Sequence, residues 1–404
     1  MSAPQSKCKQ SVDFGNDHFR SNASGNLFTE IDAKKTGSLG KVISLFTGAG
    51  GMEIGLEEAG YDTAICVEID ADSRATLRHN RPGWALFDDD QDRISGDIRK
   101  IGPEELLLKA KLKRGEAALV TGGAPCQPFS NMGKKLGKND PKNGDLFLDF
   151  VRIVKGTQPL GFIFENVAGI AQGRHNEVVK YMAAQFAGSG YSVAFEVLNA
   201  ADYGVPQQRK RFIMLGRRDG APTFPLPTHA KNRKLPHDLA GAETVVLQGW
   251  KTVSDALAEI PAENYSRSDC IGMKHADYMV ERMTRIPQGR NFKVLPMEMR
   301  PRCWQSGRHQ GQDTFGRMVE DRPAPTIRTA GYNPTKGKYI HPTEHRGINT
   351  AEMAALQSFP ADWEFRTESG RPSIVSIGRQ IGNAVPPGLA AALGRALFHK
   401  APSQ

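Results

Sequence analysis

The 404-residue sequence predicts an α/β fold, with a mixed, mostly parallel sheet covered by helices on both faces and interrupted by a smaller irregular domain. Three observations lead there. Short apolar runs alternate with helix-length segments from about 40 to 216. Residues 217–320 then become rich in Pro, Gly and Arg and lose any steady period. Apolar segments resume near 349 and across 374–398, so one domain is interrupted by another and both ends of the chain pack on the same sheet.

Residues 1–38 are polar, rich in Ser, Asn, Gly and Lys, and read as a flexible arm. The first domain follows over 39–216. Lys41-Val-Ile-Ser-Leu-Phe46 is a short strand, then Thr-Gly-Ala-Gly-Gly leads into a helix over about 52–59 that stops at Gly60. Thr63 to Ile69 reads as the second strand and Asp72 to His79 as a helix. Further strands fit 117–121, 160–165, 192–198 and 211–216, with helices near 103–112, 145–155 and 175–187. In the closing segment, 321–404, Asn349 is a helix cap with Glu352 three residues on, and Ile348 and Met353 occupy the staple positions. That helix runs through Leu356 to about Phe359 and stops before Pro360.

Charged residues make up 24% and apolar residues 39%, as in an ordinary soluble globular protein. The five cysteines (8, 66, 126, 270, 303) are scattered with no Cys-x-x-Cys pair, which argues against a disulfide scaffold and a thiolate zinc site and fits a reducing compartment. No apolar stretch approaches the roughly 20 residues of a membrane span, and the amino terminus lacks a signal-peptide core. No metal or membrane is expected, and the cytoplasm is the expected location. A formal charge of +9 fits a polyanionic partner if the basic residues cluster. They do. From Arg282 to Arg308 there are seven Arg or Lys against one acidic residue, Glu298, interleaved with Trp304 and His309 nearby. A loop-rich stretch carrying Arg282, Arg285, Arg290, Arg300, Arg302 and Arg308 suits phosphate contact and base-edge readout.

Gly122-Gly-Ala-Pro-Cys126-Gln-Pro-Phe-Ser130 places a cysteine directly beyond the strand at 117–120. Open α/β sheets do their chemistry beyond the carboxyl ends of their strands. Pro125 and Pro128 restrict the loop, so the thiol is held in a defined place. A lone cysteine is otherwise most often a small buried hydrophobe.

The turn Phe46-Thr-Gly48-Ala-Gly50-Gly51 joins a strand to a helix, where glycines allow close backbone approach to a ligand. Its spacing is neither the dinucleotide fingerprint nor a phosphate-binding loop. Glu68, about twenty residues on, ends the next strand and can accept from ribose hydroxyls. Asp97, in Gly96-Asp-Ile98-Arg, would stand at the end of a third strand or in a loop and can accept from an adenine amino group. A ribose clamp and an adenine contact without a phosphate motif suggest S-adenosyl-L-methionine, whose sulfonium charge suits acidic neighbours.

With these residues on view, the chain resembles the DNA (cytosine-5) methyltransferases, notably bacterial restriction-modification enzymes. The ordered series is Phe46-Thr-Gly-Ala-Gly-Gly51, Glu68, Gly96-Asp-Ile98, Ala124-Pro-Cys-Gln127, Glu165-Asn-Val167, Gln207-Gln-Arg-Lys-Arg211, Arg322-Pro-Ala-Pro-Thr326 and Gly382-Asn-Ala-Val385. It spans about 40–390. The family usually has Pro-Pro-Cys-Gln where this chain has Ala124-Pro-Cys-Gln, and the proline beside the cysteine remains.

The resemblance implies a Rossmann-like S-adenosylmethionine-dependent methyltransferase domain with a target-recognition domain at 217–320. It implies methylation of C5 of a flipped-out cytosine in a specific duplex sequence. C5 is a poor nucleophile, so a thiolate must first add at C6, and Cys126 is that thiolate. Glu165, ending the strand at 160–164, would bind and help protonate N3. In the family the second arginine of the pair contacts the cytosine O2, so Arg211 would hold the base. Arg209, on the same strand face by period, would steady the catalytic loop or Glu165. Cofactor contacts are implied for Phe46, Gly48, Gly50, Gly51, Glu68, Ile69, Asp97, Ile98, Pro125, Leu146, Asn383 and Val385, with Asn383 bracing the pocket. Residues 129–144 carry four lysines and three glycines and would close over DNA as a mobile lid, with Ser130, Lys134, Lys135 and Gln207 as DNA contacts. No side chain is assignable as the base that removes the C5 proton.

The implied partner is double-stranded DNA, met by a monomeric bacterial enzyme functionally paired with a restriction endonuclease. Three other readings stay open. They are an RNA methyltransferase of the same family, which the basic insert fits less well than a duplex DNA reader, an orphan or regulatory DNA methyltransferase, and a DNA-binding relative without catalysis, against which the intact Cys126 and Glu165 argue. A thiol protease would need a histidine base that no motif places, and would leave Glu68, Asp97 and the basic insert unexplained.

Overall fold

The computed structural model describes residues 38–87, 96–124, 146–171, 176–231, 247–305 and 313–398. Its sheet is built from β1 (Lys41–Leu45), β2 (Asp62–Val67), β3 (Ala85–Leu86), β4 (Leu119–Gly122), β5 (Gly161–Val167), β6 (Ser192–Asn199) and β7 (Lys210–Arg217). The order across the sheet is β3-β2-β1-β4-β5-β7-β6. β1, β2, β3, β4 and β5 pair in parallel, while β7 is antiparallel to both its neighbours. β7 therefore enters as the return arm of a hairpin with β6, slotted beside β5.

The central strands are buried on both faces, which is why they read as unbroken apolar runs. One face carries Ile43, Leu45, Val120, Phe162 and Phe164. Against it lie α4 (Leu146–Thr157) and α5 (Asn176–Ala187), with Phe147 and Phe150 packed edge to face on Phe164 of β5 and Phe186 lying tilted over Phe162. The other face carries Val42, Leu119, Ile163, Ile213 and Leu215. It is covered by α1 (Gly51–Glu58) and by α11 (Pro387–Leu397) from the far end of the chain. A methyl group on Gly55 would stand 2.2 Å from the Pro387 carbonyl, so α11 can lie on α1 only because that residue is glycine.

The helices α2 (Ala71–Asn80) and α3 (Pro103–Ala110) complete the layers. In the insert are α6 (Val253–Ala258), α7 (Asp277–Thr284) and the single turn α8 (Arg302–Gln305), then α9 (Thr350–Leu356) and α10 (Ile374–Asn383). The Asn349–Glu352 capping box forms in both directions, and Ile348 and Met353 are both buried. α9 ends at Leu356 rather than near Phe359, because Ser358 takes a left-handed conformation.

The irregular stretch is not independent throughout. Val253 and Ala256 of α6 share a core with Met353 and Leu356 of α9, and with Leu77, Trp84 and Ile377. A separate cluster forms farther out, from Met283, Ile286, Phe292, Leu295, Trp304, Phe315 and Ile340. Among the described residues no helix is long and apolar enough to cross a membrane.

Candidate active site

The strand order reverses between β1 and β4, and at such a switch point the loops leaving adjacent strands diverge and open a crevice. The turn after β1 holds Phe46, Gly48 and Gly50 at positive φ. At Gly48 nothing lies within 4 Å of where a Cβ would be, so its backbone is open to a ligand. Gly51 also serves packing. A Cβ there would meet the Val385 carbonyl at 2.4 Å, so this glycine seats the carboxyl-terminal segment against α1.

Glu68, at the end of β2, fastens this turn. Its Oε2 accepts from the Gly48 amide at 2.6 Å and its Oε1 from the Asp70 amide at 2.7 Å. Burial pushes its carboxyl above the usual range while the two amides pull it back. Each oxygen keeps a second lone pair for a ribose hydroxyl. Ile69 beside it is 61% exposed, an apolar surface next to the open turn. Gly96 at φ +80 crosses directly over the Glu68 carbonyl and brings Asp97 alongside. The third strand is only Ala85–Leu86, so Asp97 stands in a loop and caps the turn Ile98–Lys100. Its carboxylate receives a bidentate pair from Arg99 at 2.8 and 2.7 Å, which holds it below the ordinary carboxylate range. Ile98 is buried; Phe46 and Leu146 are half-buried against the same core; Val385 is buried and Asn383 exposed at the end of α10.

Glu165 lies on β5 opposite Ile213, one diagonal from Arg211, and Arg211 Nε meets its Oε1 at 2.7 Å. Burial raises the Glu165 carboxyl, and the charges of Arg211 and Arg209 only partly offset it. A Cβ on Gly123 would sit 2.7 Å from Glu165 Oε2, so the end of β4 passes against this carboxyl three residues before Cys126. Asn166 donates to the Ala124 carbonyl at 3.0 Å and accepts from the Val167 amide. The Asn-Val-Ala-Gly stretch suggests a tight turn, but Asn166 still belongs to β5 and tethers the strand that leads to the thiol. Pro125, Cys126, Ser130, Lys134 and Lys135 lie outside the described residues, as does Arg308.

Two expectations are corrected. Arg209 is 1% exposed and donates to the carbonyls of Ile327, Gly382 and Ala384 at 2.8 to 2.9 Å. It therefore ties the carboxyl-terminal segment to the sheet, and Glu165 feels it only through its charge. Gln207 is no DNA contact in this fold. It is fully buried, donating to Leu356 O and Gln357 Oε1 and accepting from the Ile327 amide, so it lies out of reach of a duplex.

The basic cluster divides. Arg282 holds the Met299 carbonyl and lies over Tyr278, and Arg300 holds the carbonyls of Leu295 and Lys293. Arg285, Arg290 and Arg302 are exposed, Arg285 within reach of Glu281 at 3.4 Å. No sequence signal points to Arg317, which is buried and donates to the carbonyls of Met283, Ile286, His341 and Glu344. It pins the insert to the segment that follows it.

The C-5 cytosine-specific DNA methylase family model matches residues 40–399. The chain belongs to this family. It is a DNA cytosine-5 methyltransferase that uses S-adenosylmethionine. Type II methyltransferase M1.HphI of Haemophilus parahaemolyticus is 33% identical over 88% of this chain and 86% of its own. Type II methyltransferase M.NgoPII of Neisseria gonorrhoeae is 32% identical over 88% and 95%. In fold the chain is similar to a DNA modification methyltransferase encoded within an Escherichia coli prophage, with a TM-score of 0.62 at 23% identity, covering 88% of this chain and 98% of the other. A DNMT2 mutant of Spodoptera frugiperda gives 0.55 at 18% identity, covering 89% and 100%. These last two likenesses concern the fold alone.

For a C-5 cytosine methylase, the crevice has the chemistry its cofactor needs. An open left-handed glycine, an exposed apolar side chain and two acids suit an adenosyl group carrying a positive sulfonium. Changing Glu68 to Gln should harm cofactor binding almost as much as changing it to Ala. Two amide N–H groups face the two oxygens, and a glutamine must turn its own NH2 on one of them. Calorimetric titration with S-adenosylhomocysteine should show at least about a tenfold loss in both variants. Unchanged affinity in both would reject the role of Glu68.

Proposed function

We propose that Cys126, Glu165 and Arg211 carry the transfer and that Glu68, Ile69 and Asp97 hold the adenosyl group. We further propose that the exposed face of the insert reads a specific duplex sequence. One observation supports the reading above the others. The carboxyl of Glu165 abuts Gly123, so the acid and the strand leading to the thiol converge beside the cofactor turn.

When bound, the cofactor supplies an electrophilic methyl group. Everything else falls to the chain. Cys126 adds to C6 and makes C5 nucleophilic. After C5 takes the methyl group, loss of the C5 proton to a base, water or hydroxide, breaks the C6–S bond, restores the ring and frees the thiolate. Glu165 binds N3 and delivers a proton to it as charge builds there, its carboxyl held above the usual carboxylate range by burial. Arg211 orients Glu165 from the neighbouring strand, on the same face of the sheet, where the cytosine O2 would reach it. Because the target carbon is stacked in a duplex, the base must leave the helix, which takes a few kcal/mol supplied by pocket contacts. Residues 129–144 are proposed to close over the DNA, and Asn383 to brace the pocket.

The chain acts as a monomer in this reading, since one chain carries the turn, the acid, the thiol and the reader. The Type II names of its bacterial relatives support a modification enzyme paired with an endonuclease, working in the cytoplasm where the chromosome lies. Bisulfite sequencing of DNA from a host expressing the protein should give one recurrent sequence bearing 5-methylcytosine. Methylation without a recurrent sequence would reject a specific reader.

The arginines should separate by what they hold. Ala at Arg285, Arg290 or Arg302 should either weaken all duplexes alike, lowering the salt slope by about 1, or cost about 1–3 kcal/mol on the cognate site alone. Ala at Arg282 or Arg300 should instead lower the melting temperature, because loop carbonyls lose their donor. If every variant bound cognate and random duplexes as the parent does, this face would not be the reader.

A further inference from the structure

We propose that Glu53 is a positioning residue for methyl transfer, whose buried carboxyl fixes the cofactor turn and the strand that leads toward the nucleophile to one another. The proposal rests on the assignment of Cys126 as the nucleophile. Glu53 lies in the first turn of α1 and is 2% exposed. Its Oε1 accepts from Ser44 Oγ of β1 at 2.6 Å and from Thr121 Oγ1 of β4 at 3.4 Å. Ser44 and Thr121 face one another across the parallel ladder. Ser44 Oγ also shares a hydrogen bond with Thr47 Oγ1 at 2.8 Å, inside the cofactor turn, and the Thr47 amide donates to the Val67 carbonyl at the end of β2. One carboxyl thus gathers β1, β4 and the turn. Thr121 lies five residues before Cys126, and Gly123 between them abuts Glu165.

This is a poor way to stabilise a fold. Glu53 Oε2 is buried and has no hydrogen-bond partner among the described residues. Desolvation pushes its carboxyl up to about 7, with Glu68 adding in the same direction, while Ser44, its own backbone amide and Thr121 pull it down. Buried Cys66 of β2 also lies within its field. An aliphatic side chain would fill the site without these penalties. Local rules are broken where function needs the group, and here the group joins the strand that leads into the cofactor turn to the strand that leads to the thiol.

The experiment compares Glu53→Leu, which removes the acceptor, with Glu53→Gln, which keeps an acceptor of the same shape. Three quantities are measured on the full chain: melting temperature, affinity for S-adenosylhomocysteine by calorimetry, and the single-turnover rate on the cognate duplex. Glu53→Leu should melt no lower than the parent, yet bind the product and transfer the methyl group about tenfold less well. Glu53→Gln should restore both to within about threefold. If Glu53→Leu fails to fold, Ser44→Ala breaks the same link at its shortest bond and should lose cofactor affinity by a similar factor. Parental affinity and rate in Glu53→Leu, or in Ser44→Ala where that stands in, would overturn the proposal. So would losses that Gln fails to rescue. Failure of the nucleophile reading is seen separately, as turnover by Cys126→Ser, and leaves the binding comparison intact.

Discussion

A cognate duplex carrying fluorine at C5 of the target cytosine should stop the enzyme as a covalent adduct, one protein per site. Cys126 can still add at C6, and the methyl group can still reach C5. The last step then requires the C5 substituent to leave as a cation, which a proton does with a base and fluorine cannot. The adduct should depend on both the thiol and the methyl donor, and denaturing electrophoresis with mass measurement would show it. Cys126→Ser should give no adduct and no turnover while keeping specific DNA binding, since the lost atom forms a bond with the ring and is no phosphate contact. Full turnover by the serine variant, or no adduct from an active preparation, would reject thiolate addition at C6.

Glu165→Gln should slow the chemical step by about 100-fold or more, the ordinary worth of a positioned general acid. An amide can still hydrogen-bond the ring but cannot give up a proton and recover it. The pH profile supplies a second reading. Burial outweighs Arg211 and Arg209 and raises the Glu165 carboxyl, so the active protonated form persists above the pH at which an exposed carboxylate would have ionised. The parent's rate should fall as pH rises through that raised pKa. The glutamine variant has no proton to lose and should lack this limb. A variant with the parent's rate and profile would remove Glu165 from the reaction.

Much of the fold and of the site is legible in the sequence, for a physical reason. Strand and helix order follow from periodicity, which acts over a few residues, and the Asn349–Glu352 cap is a contact between neighbours three apart. The turn at 46–51 and Glu68 can be found because each sits at a strand end, where α/β sheets put their chemistry; Glu165 is found the same way, although β5 runs on through Val167. The direction of β7 is not legible, since an apolar run is the same read either way. Nor are the roles of the polar residues. Gln207, Arg209 and Arg211 lie within five positions, yet Arg211 faces the acid while Gln207 and Arg209 are buried struts for segments more than a hundred residues away. Arg282 and Arg302 look alike in the sequence, and among the described residues the first holds a carbonyl while the second is exposed. The sequence by itself determined which chemistry the chain carries and the order of its elements. Tertiary structure decided which cations and amides remain available for it, because that depends on which carbonyls the distant parts of the chain bring to them.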